Sequence, residues 1–325
     1  MSKVLDRIKS PIENELKEFK PYFKELMHSK TRLLNFIINY SLKTKGKQMR
    51  PMLVFLSCKM LGKVSETTMV AASLIELLHT ATLVHDDVVD ESFYRRGFFS
   101  IFALWKAKIA VLTGDYFLAQ GLLLCLKKNQ TEVLKIVSNA VKEMSEGELE
   151  QLEKANRLNI TEEDYYTIIR KKTGALISAC CEAGAFSSGA SEEDVAVLRE
   201  FGLLIGTAFQ IKDDLFDYQK TGLIGKPKYN DIQERKMTLP VIYSFSKASL
   251  TERKKITSIF RKRSKSHEDI EKIVEFVKKS GGIDYANDKM YSFHNQAVKL
   301  LEKFPNSEAK TSLLLLADYI VKRDK

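Results

Sequence analysis

Breakers are scarce in this chain. Fifteen glycines and six prolines in 325 residues are too few for a collagen-like or low-complexity composition, and they leave room for long helices. Cysteine is scarcer still. Cys58, Cys125, Cys180 and Cys181 form no ligand-spaced pair, which excludes a readable zinc site and a disulfide framework and points to a reduced, cytoplasmic protein. No glycine-rich phosphate fingerprint follows a strand-like run, so a nucleotide-binding fold has no support. No linker rich in Gly, Ser or Pro divides residues 1–325, and a single domain is expected. The N-terminal segment MSKVLDRIKSPIENELKEFK is amphipathic without an apolar core and does not read as a secretory signal.

What is present is apolar and charged in ordinary globular proportion, with 52 basic against 42 acidic side chains for a formal charge of +10. A positive balance suits nucleic acid, an anionic membrane surface or an acidic small substrate, and selects none of them. The basic run from Arg261 to Asp269 is short and has no stacking aromatics interleaved, so it reads as a solvated turn; no nucleic-acid partner is expected. Two apolar runs, 69–89 and 109–126, invite a membrane reading. Glu76, His79, His85, Asp86 and Asp87 interrupt the first and Asp115 the second, and such groups are costly in lipid, so both runs are read as central helices of a soluble core.

Apolar spacing near 3.6 predicts helices at roughly 4–27, 31–43, 48–62, 67–92, 101–128, 131–155, 161–187 and 191–219, then shorter ones to 324. Pro11 and Pro21 can kink or divide the first. Thr161 followed by Glu162, Glu163 and Asp164 reads as a cap and acidic first turn. The segment Thr221–Met237, broken by Gly222, Gly225 and Pro227, is the expected functional loop.

One internal echo stands out: HDDVVDE at 85–91 against KDDLFDY at 212–218. On a helix, residues i and i+4 share a face, so Asp86 and Asp90 point together with Asp87 beside them, as do Asp213 and Asp217 with Asp214. Like charges that close repel, and a cation must offset the cost. Two oxygen-donor triads, each inside an otherwise apolar helix, suit magnesium shared with substrate phosphates. The expectation is two helices facing each other across a polyphosphate site. Cations should then lie nearby: Lys45, Lys47 and Arg50, Arg95 and Arg96, Lys171 and Lys172, and Lys226, Lys228 and Lys236 are the candidates.

The ordered set KGKQMRP at 45–51, HTATLVHDDVVDESFYRRG at 79–97, GD at 114–115, KKTGAL at 171–176, GTAFQIKDDLFDY at 206–218, GKPKYNDIQERKMTLP at 225–240 and LLLLADYIVKR at 313–323 resembles the trans-isoprenyl diphosphate synthases, the polyprenyl synthetase family, nearly end to end. The resemblance is strongest to the medium- and long-chain all-trans members. It implies an all-α, single-domain isoprenoid synthase bundle of long antiparallel helices around a central cavity, usually a homodimer. It also implies head-to-tail condensation of isopentenyl diphosphate with an allylic diphosphate. By carry-over, Asp86, Asp87, Asp90, Asp213, Asp214 and Asp217 hold about three magnesium ions. Arg95, Lys172, Lys226 and Lys236 grip the allylic diphosphate, Thr173 and Gln210 line the reacting carbons, and Lys47, Arg50, His79 and Arg96 hold isopentenyl diphosphate. Gly is common in the family where this chain has Tyr229 and Arg235.

Ala81 and Thr82 lie five and four residues before Asp86, about 6 to 7.5 Å below it at helical rise. Short-chain members carry bulky residues at these positions. Both are small here, which resembles synthases making roughly thirty carbons or more, for quinone side chains, with Leu78, Leu118 and Leu122 as candidate floor residues lower down. The alternatives are a short-chain geranylgeranyl or farnesyl diphosphate synthase and a non-catalytic subunit of a heteromeric synthase. A long apolar product also implies transient membrane contact at release.

Overall fold

Helices make up nearly all the regular structure of the computed structural model, which describes residues 2–43, 48–95, 97–157, 160–218 and 229–323. In chain order they are α1 (Ser2–Lys9), α2 (Glu13–Leu26), α3 (Arg32–Lys43), α4 (Met49–Leu61), α5 (Glu66–Val89), α6 (Ile101–Lys127), α7 (Thr131–Arg157), α8 (Glu162–Ile169), α9 (Ala175–Ser187), α10 (Glu192–Phe216), α11 (Asn230–Gln233), α12 (Leu239–Lys247), α13 (Leu250–Phe260), α14 (His267–Lys279), α15 (Gly282–Leu300) and α16 (Glu308–Lys322). The only strands among the described residues are β1 (Tyr94–Arg95) and β2 (Phe98–Phe99), an antiparallel pair.

The structure departs from helical periodicity at several points. Pro11 sits in a 3₁₀ turn, Ser10–Ile12, that separates α1 from α2, whereas Pro21 is accommodated inside α2. The long helix expected at 67–92 stops at Val89, and the chain turns into the β1–β2 hairpin, where Tyr94 and Phe99 face each other with ring centroids 4.9 Å apart. The helix expected at 161–187 is interrupted by a π turn, Arg170–Gly174, between α8 and α9. The expected cap holds: the Asp164 N–H donates to Thr161 Oγ1 at 3.1 Å, and the Asp164 carboxylate accepts the Thr161 N–H at 3.0 Å.

The chain divides into two compact units. The first comprises Met1–Val141, Leu176–Gly202 and Leu300–Leu316; the second comprises Lys142–Ala175, Leu203–Lys299 and Ala317–Lys325.

In the first unit α5 packs most extensively on α6 and next on α4, and Phe19, Phe23 and Phe55 fill the core with ring centroids 5.4 and 5.7 Å apart. Both α5 and α6 are long and apolar enough to cross a membrane by length and composition. The apolar stretch of α5 is 61% buried in the fold and that of α6 only 39%. α6 therefore leaves an apolar face outward, carrying Val111, Leu112, Leu122, Leu123 and Leu126. A backbone break at Lys106 (φ 68°, ψ 170°) bends its first turns away from the remainder.

In the second unit α12 packs on α8 and α14, and α13 on α14. The π turn passes close against α7 at Gly147. A Cβ there would lie 2.8 Å from Lys171 Cβ and 2.9 Å from the Lys172 nitrogen, so glycine is what admits the turn.

Candidate active site

The first unit brings one acidic motif to the end of α5. Asp86 is exposed and Asp90, the helix C-cap, is exposed four residues on, so the two carboxylates share a face. Asp87 differs. It is buried, and the hairpin returns Arg95 so that Nε donates to Asp87 Oδ1 at 2.7 Å. Burial pushes the Asp87 carboxyl above its ordinary range, against the opposing pull of the Arg95 guanidinium. The three acids expected to be equivalent are thus two exposed oxygen donors and one buried anchor for Arg95.

No group of three His, Cys, Asp or Glu side chains converges as a metal cage among the described residues. Magnesium does not require one. It takes one or two carboxylates and completes its shell with water and phosphate oxygens, and the Asp86 and Asp90 pair at the exposed end of an apolar helix fits that demand.

Upstream, Arg50 of α4, His79 and Glu76 of α5, and Gln48, Tyr40 and Arg95 line an open cavity that also touches Asp87. The structure brings Arg50 and His79, expected on isopentenyl diphosphate, to the same cavity as Arg95, expected on the allylic diphosphate, and it adds Glu76, which the sequence reading took only as a charge interrupting an apolar run. Lys45, Lys47 and Arg96 lie outside the described residues. The GD pair at 114–115 also finds its reason here. A Cβ on Gly114 would lie 2.2 Å from His85 Nε2, which instead sits 3.3 Å from the Val111 carbonyl and 3.5 Å from Asp115 Oδ1. Glycine makes room for the imidazole next to Asp86, and the aspartate faces it.

Among the chain-length candidates, Ala81 and Leu78 are buried, Thr82 and Leu118 half-buried. The Thr82 hydroxyl is turned back to the His79 carbonyl at 2.9 Å. Leu122 is 43% exposed on the outward face of α6, which removes it as a floor residue within this chain.

The second unit holds the other motif, and its three acids again have separate partners. Asp213 pairs with Arg323 of the C-terminal segment, whose guanidinium lies 4.1 Å from the Phe209 ring centroid and 5.3 Å from that of Phe216. Asp214 is buried. Tyr165 Oη donates to its Oδ2 at 2.7 Å and Gln210 Nε2 to its Oδ1 at 2.8 Å. Desolvation first, then the charges of Asp231 and Asp213, push its carboxyl well above the ordinary carboxylate range. Asp217 Oδ2 accepts the Asp231 N–H at 3.1 Å at the start of α11. Asp213 thus faces a cationic side chain, Asp214 is a buried acceptor, and Asp217 holds a backbone N–H.

The π turn arranges the neighbouring residues. Lys172 reaches α7 and pairs with Glu148 at 2.6 Å and Gln151 at 2.8 Å, while Thr173 Oγ1 donates to Gln210 Oε1 at 2.6 Å. Lys236 pairs with Glu234 at 2.6 Å and lies 3.8 Å from Asp231. Lys226 and Lys228 lie outside the described residues. Tyr229 and Arg235 both adopt the left-handed region, with φ of 60° and 61°, the conformation for which glycine is the ordinary choice. Sequence reasoning missed Tyr165, Glu148 and Gln151. Tyr165 stands eight residues before Thr173 in TEEDYYTIIRKKTG, where local spacing gives no signal for it.

An all-helical fold that sets exposed aspartates beside a cavity lined by arginine and histidine has the makings of an isoprenoid synthase. The polyprenyl synthetase family model matches residues 31–277. A short chain isoprenyl diphosphate synthase of Methanothermobacter thermautotrophicus is 34% identical over 285 residues, covering 86% of this chain and 87% of that one. The heptaprenyl diphosphate synthase component 2 of Bacillus subtilis is also 34% identical over 285 residues, covering 87% and 80%. The crystal structure of a decaprenyl diphosphate synthase from Rhodobacter capsulatus superposes with a TM-score of 0.93 at 35% identity, covering 99% of each chain. The chain belongs to the polyprenyl synthetase family and is a trans-prenyltransferase with the isoprenoid synthase helical fold.

Proposed function

We propose that this prenyltransferase condenses isopentenyl diphosphate with farnesyl or geranylgeranyl diphosphate, head to tail and with magnesium. The product is an all-trans polyprenyl diphosphate of roughly thirty to forty carbons, for quinone side chains. The observation that carries the chain length is Ala81: a small, fully buried side chain about one and a half helical turns before Asp86, where a growing tail would need room.

The residues divide the work. Arg95, Lys172, Lys226 and Lys236 hold the allylic diphosphate, and Lys47, Arg50, His79 and Arg96 hold isopentenyl diphosphate, Arg50 and His79 doing so from the wall of the first unit's cavity. When bound on Asp86, Asp90 and Asp213, magnesium supplies positive charge that stabilises the departing diphosphate. The allylic carbon–oxygen bond breaks with its electron pair leaving on diphosphate. The isopentenyl double bond attacks the resulting allylic cation, and the proton lost from the adduct goes to the released diphosphate. No protein nucleophile takes part. Thr173 and Gln210 stand beside the reacting carbons, and apolar walls keep water from the cation.

The outward apolar face of α6 supports a homodimer, since Leu122, Leu123 and Leu126 would be covered by a second copy. The Bacillus subtilis relative is a component 2, which favours a second version in which a different subunit completes the enzyme. One experiment separates these readings: purified protein with magnesium, isopentenyl diphosphate and each allylic primer, products resolved by chain length and oligomeric state by light scattering. A ladder ending at roughly thirty to forty carbons from a dimer supports the proposal, a stop near twenty overturns the Ala81 argument, and no elongation brings the partner-dependent version forward.

A further inference from the structure

Four side chains of the second unit form one unbroken run of hydrogen bonds. Tyr165 Oη donates to Asp214 Oδ2 at 2.7 Å, Gln210 Nε2 donates to Asp214 Oδ1 at 2.8 Å, and Thr173 Oγ1 donates to Gln210 Oε1 at 2.6 Å. Three elements contribute: α8, the π turn and α10. Tyr165 is 4% exposed and Asp214 6% exposed, so neither end of their bond can exchange its partner for water.

The chemistry of the groups makes the run directional. An amide donates only through nitrogen and accepts only through oxygen. With Gln210 Nε2 committed to Asp214, its Oε1 must point to Thr173, and the threonine proton must point to Gln210. The Thr173 hydroxyl thereby turns its oxygen lone pairs away from Gln210, a fixed dipole whose negative end is available to developing positive charge. Asp214 can orient Gln210 only if it is itself held. Its own helix gives it Gln210, one turn earlier, and the tie that comes from a different element is the Tyr165 hydroxyl. Loss of that hydroxyl would leave the buried Asp214 carboxyl one partner short and free to turn about its last torsion, carrying the Gln210 amide with it.

We propose that Tyr165 is a positioning residue for the condensation, acting through Asp214 and Gln210 to orient the Thr173 hydroxyl beside the allylic carbons. This inference rests on the prenyl-transfer reading and goes beyond it, because Tyr165 touches no substrate in that reading.

The test is a double-mutant cycle on Tyr165→Phe and Thr173→Val, measured as kcat and KM for both substrates beside the wild type. Tyr165→Phe is expected to lower kcat about tenfold or more with KM for either substrate changed less than about twofold. In the Thr173→Val background the same substitution should cost little further, since its effect runs through the hydroxyl already removed. Thr173→Ser, which keeps the hydroxyl, should restore the sensitivity to Tyr165→Phe. Losses that simply add, or a Tyr165→Phe enzyme with unchanged kcat, overturn the proposal while leaving the prenyl-transfer reading intact. A wild type that elongates no primer overturns both. Should Tyr165→Phe fail to fold, Gln210→Leu breaks the run one link further on, and the same non-additivity with Thr173→Val decides.

Discussion

Arg323 and Asp213 are joined in a salt bridge that reaches from the C-terminal end of the chain to the acidic motif of α10. The guanidinium lies over Phe209 and Phe216, so it is held by aromatic faces as well as by charge. A divalent cation arriving at Asp213 must displace or share this partner. Arg323→Gln should therefore tighten manganese or magnesium binding in the absence of substrate, by about fivefold. Isothermal titration of the wild type and the variant checks this, and equal affinities would show that the arginine and the metal do not compete.

Asp86 and Asp213 each head one motif in one unit. Replacing either with Ala should lower turnover about a hundredfold or more with the circular dichroism spectrum and melting temperature essentially kept, because Asp86 is exposed and Asp213 only partly covered. A folded variant with near wild-type turnover would remove that residue from the metal site.

Product length offers a paired test. Ala81→Phe should shorten the product toward about fifteen or twenty carbons by placing a ring at this buried position below Asp86. Leu122→Ala should leave the product ladder as it is, since Leu122 faces outward. A ladder that ignores the first change or responds to the second would place the growing chain elsewhere.

Gly114→Ala puts a methyl group 2.2 Å from His85 Nε2. The expected cost is about 1–3 kcal/mol of stability, read as a lower urea midpoint, with a fall in activity because His85 adjoins Asp86. An unchanged midpoint would mean that the imidazole moves aside freely.

Lys265 is buried, with Nζ 3.1 Å from the Lys262 carbonyl and 3.3 Å from that of Gln233. Desolvation first, and the Arg235 charge second, lower its pKa from the ordinary 10.5. The unfolded chain therefore holds this proton to a higher pH than the folded one. Between the lowered pKa and 10.5 the unfolded state binds more protons, and stability from this group rises with pH. Urea midpoints at pH 8 and pH 10 should shift in favour of the wild type relative to Lys265→Met as pH rises. A difference that does not move with pH would reject the assignment.

The all-helical fold, most helix positions and the two acidic motifs were legible because each depends on local spacing. The hairpin after α5 was not. Its two-residue strands are too short to show alternation, and they exist because Tyr94 and Phe99 pair across the turn. The π turn was hidden for a related reason: RKKTG carries no breaker except the glycine that ends it, and the extra residue is accommodated by close approach to Gly147 on a different helix. Within each motif, spacing gave three acids on nearby faces but could not assign their partners. Arg95, Tyr165, Arg323 and the Asp231 backbone reach Asp87, Asp214, Asp213 and Asp217 from other elements, a matter of tertiary contact. The departures at Tyr229 and Arg235 were visible as residue types, and their left-handed backbone explains why glycine is usual there.

The π turn at Arg170–Gly174 also bears on how this sequence can change length. Such a turn is in effect a single inserted residue kept inside a helix. Deleting one residue within it would let α8 and α9 fuse into a regular helix. Because the bulge absorbs the extra residue, the flanking helices would keep their faces, and the loss would fall on the side chains of the turn itself. Thr173, which lies within the turn, would then no longer meet Gln210 while Tyr165 still reached Asp214. A deletion that looks harmless in an alignment of helices would thus be lethal to the chemistry, and homologues of this chain are expected to vary in length at their loops and hold this segment to a constant count.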